Sequence, residues 1–272
     1  MHIVTNIILG AHRMNDFFDT WLTTSEETDQ RKTLWRATEA DTQRQNAVSE
    51  LVSRTRSHYV KDDEIATFLD TLGYDGAAEI IRTNYPEGPT CRSGDLGEIL
   101  CAEVIEEWCD FEVPIRKLRY KDHRDQAMRG EDVIGVGESE DGQLRLLKAE
   151  AKSAQSLSAD TVQSARAGLE ANLGRPTPHS LIYLARRLLE MGGTKEELGK
   201  RILAETVRQA VPKGRVTHCL FTITGNPAVE MLDDDFADAD GTRDQYIIHV
   251  QIPDHANFVE QIFDGVNNLA LD

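Results

Sequence analysis

Apolar residues near the middle of the chain recur with the spacing of a helix. In residues 93–108, SGDLGEILCAEVIEEW, the side chains of Cys101, Val104, Ile105 and Trp108 follow one another at i, i+3, i+4 and i+7. This spacing places all four on one face, because an α-helix has 3.6 residues per turn. The segment is predicted to be an amphipathic helix that packs against a core.

After this helix the apolar pattern alternates between strands and helices. Residues 111–120 (FEVPIRKLRY) are predicted to form a strand, and residues 131–153 two strands joined by a turn. The pattern then predicts helices near residues 159–172, 178–191 and 195–211, strands at 215–224 and 245–252, and a last helix at 255–268. The order helix, three strands, helices, two strands, helix indicates an α/β fold with a mixed sheet.

The N-terminal third reads differently. Residues from about Glu26 to Tyr85 are interpreted as helical, since their apolar positions are scattered among polar ones and the segment DDEIATFLDTLG has an acidic first turn and a terminal glycine. The turn-rich run NYPEGPT, residues 84–90, is the best candidate for a boundary. The predicted organisation is a mostly helical region over 1–90 and a second domain over 91–272.

The segment LLKAEAKS, residues 146–153, could be a helix or a strand. Composition alone favours a helix, because Ala, Lys and Glu are among the strongest helix formers. The preceding turn SEDGQ contains an Asp-Gly pair, which is a strong hairpin signal. The hairpin context therefore predicts that residues 146–153 form its second strand.

The length of the hairpin loop decides which side chains share a face. A two-residue loop of Asp and Gly would place Asp132 opposite Ala151, on the other face from Glu150. A three-residue loop over 140–142 would use its glycine in the left-handed conformation and place Asp132 opposite Glu150. Both loops suit the sequence. Only the second brings Asp132, Glu150 and Lys152 onto one face.

Two carboxylates and a lysine on one face would form a chemically useful site. Carboxylates a few ångströms apart repel one another unless a proton or a cation lies between them. Mg²⁺ prefers oxygen ligands and commonly takes one or two carboxylates together with phosphate and water. A metal ion held there can polarise a phosphodiester and lower the pKa of an attacking water. A nearby lysine can orient that water or stabilise charge on phosphorus.

These residues resemble the signature of the PD-(D/E)XK nuclease superfamily. That signature is an Asp at the start of one strand and (D/E)-x-K on the next, preceded by a helix that carries a Glu. Asp132 in GEDVIG matches the Asp, and Glu150-Ala151-Lys152 matches E-x-K. Glu98 in GDLGEIL matches the helix Glu. Glu131 replaces the Pro of the signature, at a position that is commonly variable.

The resemblance covers roughly residues 93–172 and implies a restriction-endonuclease-like core with metal-dependent DNA cleavage. It implies a Mg²⁺ or Mn²⁺ ion held by the side chains of Asp132, Glu150 and Glu98 and the backbone carbonyl of Ala151. Lys152 would then be catalytic beside the metal ligands.

A narrower resemblance rests on the runs YPEGPTCRSGDLGEILCAEVIEEW, RGEDVIGV and LKAEAKS, with the helical start and the total length. Here the chain is similar to the HamA family, the nuclease subunits of Hachiman anti-phage systems. That family works beside a DExD/H-box helicase, HamB. The resemblance implies metal-dependent DNA cleavage licensed during infection, with the DNA held by the helicase subunit.

Charge limits how this chain could act on DNA alone. It has 30 Lys and Arg against 47 Asp and Glu, for a net charge of −17. Since phosphate neutralisation supplies much of the affinity of nucleic-acid binders, DNA would be repelled by the chain as a whole. Action on DNA would need a local basic surface, a bound metal or a partner that holds the polymer.

One basic island precedes the proposed site and is predicted to contact phosphate. It contains Arg116, Lys117, Arg119, Lys121, Arg124 and Arg129, and all of these except Arg124 are predicted nucleic-acid contacts. The alternative is that alternating basic residues protect an edge strand from aggregation.

Several other residues have two interpretations each. Glu98 could be a site residue, or Asp95 and Glu98 could form an acidic variant of an N-terminal capping box. Lys148 could contact phosphate, although a solvated strand lysine is the favoured interpretation. Gln163 and Arg166 open the next helix, where they either approach the site and its DNA or lie on an exposed helix face.

The remaining patterns exclude several classes of protein. No apolar run approaches the roughly 18 residues of a membrane span, and the start lacks the features of a signal peptide. The four cysteines form no C-x-x-C pair, so a cytoplasmic protein with free thiols is expected. The histidines show no zinc spacing, and the segment EMLDDDFADADG lacks EF-hand ligand positions and is predicted to be a solvated loop or partner contact.

Three functional hypotheses follow. The favoured one is a metal-dependent DNA nuclease that acts as a subunit beside a helicase in anti-phage defence. A second is a non-catalytic acidic adaptor or DNA mimic that retains the nuclease fold. A third is a stand-alone restriction or repair nuclease.

Overall fold

A computed structural model describes residues 17–208 and 211–269 of the chain. The strands are β1 (Leu22–Asp29), β2 (Lys32–Glu39), β3 (Val133–Glu138), β4 (Leu144–Ala154), β5 (Val216–Thr224) and β6 (Gln245–Gln251). The helices are α1 (Phe17–Trp21), α2 (Arg44–Tyr59), α3 (Asp62–Arg82), α4 (Pro89–Trp108), α5 (Ala159–Gly174), α6 (Pro178–Met191), α7 (Gly193–Arg208), α8 (Val229–Asp238) and α9 (His255–Leu269). Short 3₁₀ turns cover Lys117–Tyr120 and Lys213–Arg215.

The six strands form one mixed sheet in the order β1-β2-β6-β5-β4-β3. The four inner strands β2, β6, β5 and β4 are parallel, and the outer strands β1 and β3 run antiparallel to their neighbours. All nine residues of β5 are buried, as expected for a central strand covered on both faces. The predicted mixed α/β fold is confirmed.

Helices cover both faces of the sheet. On one face α2, α4 and α9 enclose the largest apolar cluster, in which Leu96 of α4 and Ala149 of β4 are both fully buried. On the other face α6 and α7 cover the β3–β4 end, where Leu188 and Leu146 belong to a second cluster. A third cluster lies between α5, α8 and strands β5 and β6. Strand β4 therefore lies between two strands and two helical layers.

The helical interpretation of residues 26–39 is wrong. This stretch contains most of the hairpin β1–β2, and β2 pairs in parallel with β6. Thr and Trp favour strands, and Leu34, Trp35 and Ala37 are buried against the sheet, so tertiary packing decides the structure of a polar segment. Strands from both sides of the 84–90 turn thus belong to one sheet.

The predicted strand at residues 111–120 is also wrong. Only an isolated bridge between Glu112 and Val136 is present, and a 3₁₀ turn follows at Lys117–Tyr120. Pro114 has no backbone N–H to continue a ladder, which explains why the pairing stops.

The acidic segment predicted to be a loop is largely helix α8. Leu232 and Phe236 are buried four residues apart, on the face that meets the sheet. The acidic residues between them hid this short apolar stripe, since only two positions carry it.

The hairpin β3–β4 has the three-residue loop. The Ser139 amide donates to Gln143 O at 2.9 Å, and the Gly142 amide donates to Ser139 O at 2.8 Å. Gly142 has φ +73°, the left-handed conformation that the loop requires. The pairing runs from Glu138–Leu144 to Val133–Ala149, so the next step places Asp132 opposite Glu150.

The loop glycine provides a test of this register. Gly142→Ala should lower the free energy of unfolding by about 1 kcal/mol, because an L-residue in the left-handed region carries a conformational cost. Urea unfolding followed by circular dichroism measures it. Gly214→Ala is the matched control, since neither glycine has an atom within 4 Å of an added Cβ and only Gly142 has a positive φ. Equal unfolding midpoints for the two variants would contradict the assignment.

Candidate functional site

Strand β4 presents its charged side chains on one face of the sheet. Lys148, Glu150 and Lys152 alternate with Ala149 and Ala151, which pack toward the apolar cluster under α4. The charged side chains point to the face that α5 covers. The observed register adds Asp132 to this face, opposite Glu150.

Asp132 lies immediately before β3. Its side chain makes the next hydrogen bond to β4. Its Oδ2 accepts a hydrogen bond from the Ala151 amide at 2.9 Å. Because the N–H and C=O of a strand residue point toward the same neighbouring strand, the Ala151 carbonyl also points to the side on which Asp132 lies. The Asp132 carboxylate and the Ala151 carbonyl, both oxygen ligands, therefore face the same space, next to the first residue of β3.

Glu150 is half-buried between its own strand and α5. Its Oε2 accepts from Lys152 Nζ at 3.3 Å. Burial raises the pKa of Glu150, the negative charge of Asp132 adds to the rise, and Lys152 opposes it. A Cβ added to Gly168 of α5 would lie 2.9 Å from Glu150 Oε1, so the glycine leaves the space in which the carboxylate lies.

Glu98 lies in the interior of α4, which begins at Pro89 with Gly88 as its N-cap. The capping-box interpretation of Asp95 and Glu98 is therefore excluded. Burial raises the pKa of Glu98 to about 8, and although Lys117 lowers it, Asp132 and Asp95 add to the rise. Asp132 is thus the common neighbour whose charge acts on both Glu98 and Glu150.

Most of the basic island is engaged within the chain. Lys121 donates to both oxygens of Asp95, at 2.9 and 2.7 Å. Lys117 donates to the carbonyl oxygens of Met128 and Glu131. Each cation already stabilises the loop that leads into β3.

The remaining candidate contacts fall into two groups, those with internal partners and one that is exposed. Arg119 donates to Ser57 O, and Arg116 pairs with Glu103 and Glu106. Arg129 is exposed. A DNA contact for any of the five stays a prediction.

The interpretation of Lys148 as a solvated strand lysine is wrong. The residue is 2% exposed, and its Nζ donates to the carbonyl oxygens of Gly168, Leu169 and Ala171 at 2.7, 3.1 and 3.1 Å. These carbonyls lie where α5 is distorted near its C-terminal end. Burial lowers the pKa of Lys148, and its role is to satisfy that helix end.

The two polar residues near the start of α5 have different surroundings. Gln163 is exposed. Arg166 forms a two-pronged ion pair with Asp235 of α8, at 2.9 and 2.6 Å, and donates to Gln245. Arg166 therefore joins α5 to α8.

A cavity of about 840 Å³ opens beside this cluster. Glu98 and Asp132 line it together with Lys117, Lys121 and Arg129 of the basic island and residues of α6. The site therefore borders a concave surface lined by both polar and apolar side chains.

The donor set suits Mg²⁺ in part. Two carboxylates with a carbonyl oxygen match the one or two carboxylate ligands that Mg²⁺ commonly takes. The raised pKa values of Glu98 and Glu150, to which the charge of Asp132 contributes, show a crowding of negative charge that a cation would relieve. In the described ranges no three His, Cys, Asp or Glu side chains are close enough to form a metal site by themselves. Asp132, Glu150 and the Ala151 carbonyl would hold the ion, with Glu98 behind them.

Gly168 is the residue that sequence reasoning missed. The glycine interrupts a segment of α5 otherwise suited to a helix, and glycine costs about 1 kcal/mol there relative to alanine. This unfavourable glycine was the signal available in the sequence, because a glycine inside a helix often marks a point where another group packs closely against the helix. The sequence did not show that the approaching group is Glu150.

The fold and site define a mixed α/β protein with a carboxylate and lysine cluster at the end of a β-hairpin. The model of the HamA family matches residues 15–266, so the chain belongs to the HamA family. It is also 24% identical over 188 residues to the Hachiman protein HamA of Bacillus cereus. That alignment covers 69% of this chain and 65% of the relative, a little less than two thirds of its length. None of the helices described is long and apolar enough to cross a membrane.

The two lysines on this face of β4 should differ in their effect on stability. Lys148→Met should lower the free energy of unfolding by about 2 kcal/mol, because it leaves buried carbonyls without a donor. Lys152→Met should change it by less than about 1 kcal/mol, since its ion pair is partly exposed. Urea unfolding compares them directly. A larger loss for Lys152→Met would contradict the structural role assigned to Lys148.

Proposed function

We propose that this chain is the metal-dependent DNA nuclease subunit of a Hachiman-type anti-phage defence complex, acting in the cytoplasm with a helicase. The observation that carries the proposal is the hairpin register, which sets Asp132 opposite Glu150 with Lys152 on the same face. This is the arrangement that the PD-(D/E)XK signature requires. Membership of the HamA family and the Hachiman relative support the defence role.

The chain's own residues have distinct roles in this proposal. Asp132, Glu150 and the Ala151 carbonyl would hold the metal ion, which would supply polarisation of the phosphodiester and a lower pKa for a bound water. Lys152 orients the attacking water or stabilises negative charge on the phosphate. Glu98 lies on the α4 side, where it would add negative charge once a bound cation favours its ionised form. Glu150 also holds the Lys152 ammonium, so the two side chains position each other.

The charge of the chain supports a partner that holds the DNA. With a net charge of −17, long-range electrostatics oppose binding of a polyanion. Four of the five predicted phosphate-contacting residues already make internal contacts. A helicase subunit would supply the affinity and deliver the strand to the site.

Replacing the cluster tests the catalytic assignment. Asp132→Asn, Glu150→Gln and Lys152→Ala should each lower Mg²⁺-dependent cleavage of plasmid DNA at least about a hundredfold, the usual scale for losing one electrostatic stabiliser. The assay uses the full chain together with its helicase partner and follows plasmid loss on gels. Glu140→Gln is the matched control, since Glu140 is exposed at the loop of the same hairpin.

The outcomes separate the three hypotheses. Unchanged cleavage by Lys152→Ala and Glu150→Gln would remove the catalytic assignment. No cleavage by any form, with defence against phage unaffected by Asp132→Asn, would favour the acidic adaptor. Tight DNA binding and cleavage by the chain alone would favour a stand-alone nuclease.

Metal binding can be measured apart from activity. Calorimetric titration with Mn²⁺ should give a binding isotherm for the unaltered chain, weakened about tenfold or more by Asp132→Asn because one charged ligand is lost. Glu140→Gln should bind as the unaltered chain does. Equal affinities for Asp132→Asn and the unaltered chain would place the ion elsewhere.

A further inference from the structure

Helix α6 presents a polar and aromatic stripe to the cavity beside Asp132. His179, Tyr183 and Arg187 are spaced at i, i+4 and i+8, so they share one face of the helix, and all three line the cavity. The adjoining face is apolar, with Leu184 and Leu188 buried in the second cluster, and the Tyr183 ring packs against the edge of that cluster. Packing therefore accounts for the ring of Tyr183, but it does not account for the polar groups that the stripe brings to the cavity.

Two rings and a guanidinium group form the wall of the cavity. The rings of Tyr120 and Tyr183 are 6.2 Å apart and nearly perpendicular, at 84°. The Arg187 guanidinium carbon lies 5.0 Å from the Tyr120 ring centre and 5.6 Å from that of Tyr183. Nucleobases stack on tyrosine rings and on arginine planes, so this wall has the composition of a base-stacking platform.

Two polar groups of this wall have no partner. The Tyr183 hydroxyl and Arg187 Nε are buried and make no hydrogen bond within the described residues. Burial raises the pKa of Tyr183 to about 12, so the hydroxyl keeps its proton and stays a donor. Buried polar groups are normally satisfied, and a bound ligand with ring nitrogens or carbonyl oxygens would satisfy these.

The lining of the cavity is less acidic than the chain as a whole. Its lining includes five Lys and Arg against four Asp and Glu, whereas the whole chain has 30 against 47. Arg129 lies exposed at its edge. Glu98 and Asp132 line the same cavity, so a phosphate held at the metal ligands would be continuous with a base held at the α6 wall.

We propose that this cavity holds one unpaired nucleotide of the strand being cut, next to the scissile phosphate, so that the chain cuts single-stranded or frayed DNA. Bases in a duplex are stacked and paired, so they reach such a wall only after leaving the helix. An unwinding partner would supply strands in that state. This inference rests on the proposed nuclease function and specifies its substrate.

Binding of short oligonucleotides tests the cavity. Fluorescence anisotropy of the full chain at low salt, with Ca²⁺ in place of Mg²⁺, compares labelled oligothymidine with an abasic strand and a blunt duplex of the same length. The abasic strand keeps the phosphates and lacks the bases. Oligothymidine should bind at least about tenfold more tightly than either, as expected for one base-stacking contact.

Variants locate the effect. Tyr183→Ala and Arg187→Gln should each remove most of the preference for oligothymidine over the abasic strand. Arg187→Gln is included because this side chain is 31% exposed, so the substitution is expected to leave the fold intact even if Tyr183→Ala does not. Tyr74→Ala is the matched control, since Tyr74 is an exposed tyrosine on α3 outside the cavity; it should keep the full preference.

Different results would contradict the proposed nucleotide pocket and the proposed nuclease activity. Equal binding of oligothymidine and the abasic strand, including no binding of either, would reject the nucleotide pocket. So would a full preference in both Tyr183→Ala and Arg187→Gln. Cleavage lost in Lys152→Ala would leave the nuclease assignment standing in that case, whereas unchanged cleavage in that variant rejects the nuclease whatever the oligonucleotides show.

Discussion

The hydrogen bond from the Ala151 amide to Asp132 is the contact on which the candidate site depends. It fixes the start of β3 against β4, and Gly142 fixes the other end of the same hairpin by adopting a left-handed conformation. Six ladder pairs connect these two points. A shift by one residue would move Asp132 to the opposite face from Glu150, because successive strand residues point to opposite faces. The site geometry is thus a consequence of loop length.

Close packing around β4 turns this geometry into an electrostatic constraint. The strand is paired on both edges, covered by α4 on one face, and approached by α5 at Gly168 on the other. Water is therefore limited around Glu98 and Glu150, whose pKa values rise through burial and the charge of Asp132. Such an arrangement favours protonation or a bound cation over free carboxylates. Carboxyl groups whose pKa values are raised in this way, by burial and a neighbouring charge, are typical of functional sites.

Local patterns predicted the parts of the fold that depend on neighbours in sequence. Helix α4 and the hairpin itself follow from apolar spacing and an Asp-Gly turn. The loop length, and with it the face on which Asp132 lies, stayed open between two and three residues until the structure decided it. Strand β2 could not be predicted in this way, because its partner β6 lies about two hundred residues away and packing decides its conformation. The role of Lys148 was hidden for the same reason, since its acceptors belong to the distorted end of α5. The register alone placed Asp132, Glu150 and Lys152 together, whereas Gly168 became visible only with the packing of α5.

The use of positive charge limits how the chain could hold DNA. The basic island suggests a phosphate-binding surface in sequence, yet Lys121 neutralises Asp95, and Arg119 and Lys117 satisfy backbone carbonyls. These cations stabilise the segment that leads into β3, and the field around the molecule stays negative. A duplex approaching from solution therefore meets long-range repulsion from the net negative charge, whereas Arg129 lies exposed in the lining of the cavity. An acidic chain whose cavity lining is less acidic than the whole is suited to receive a strand that another protein delivers.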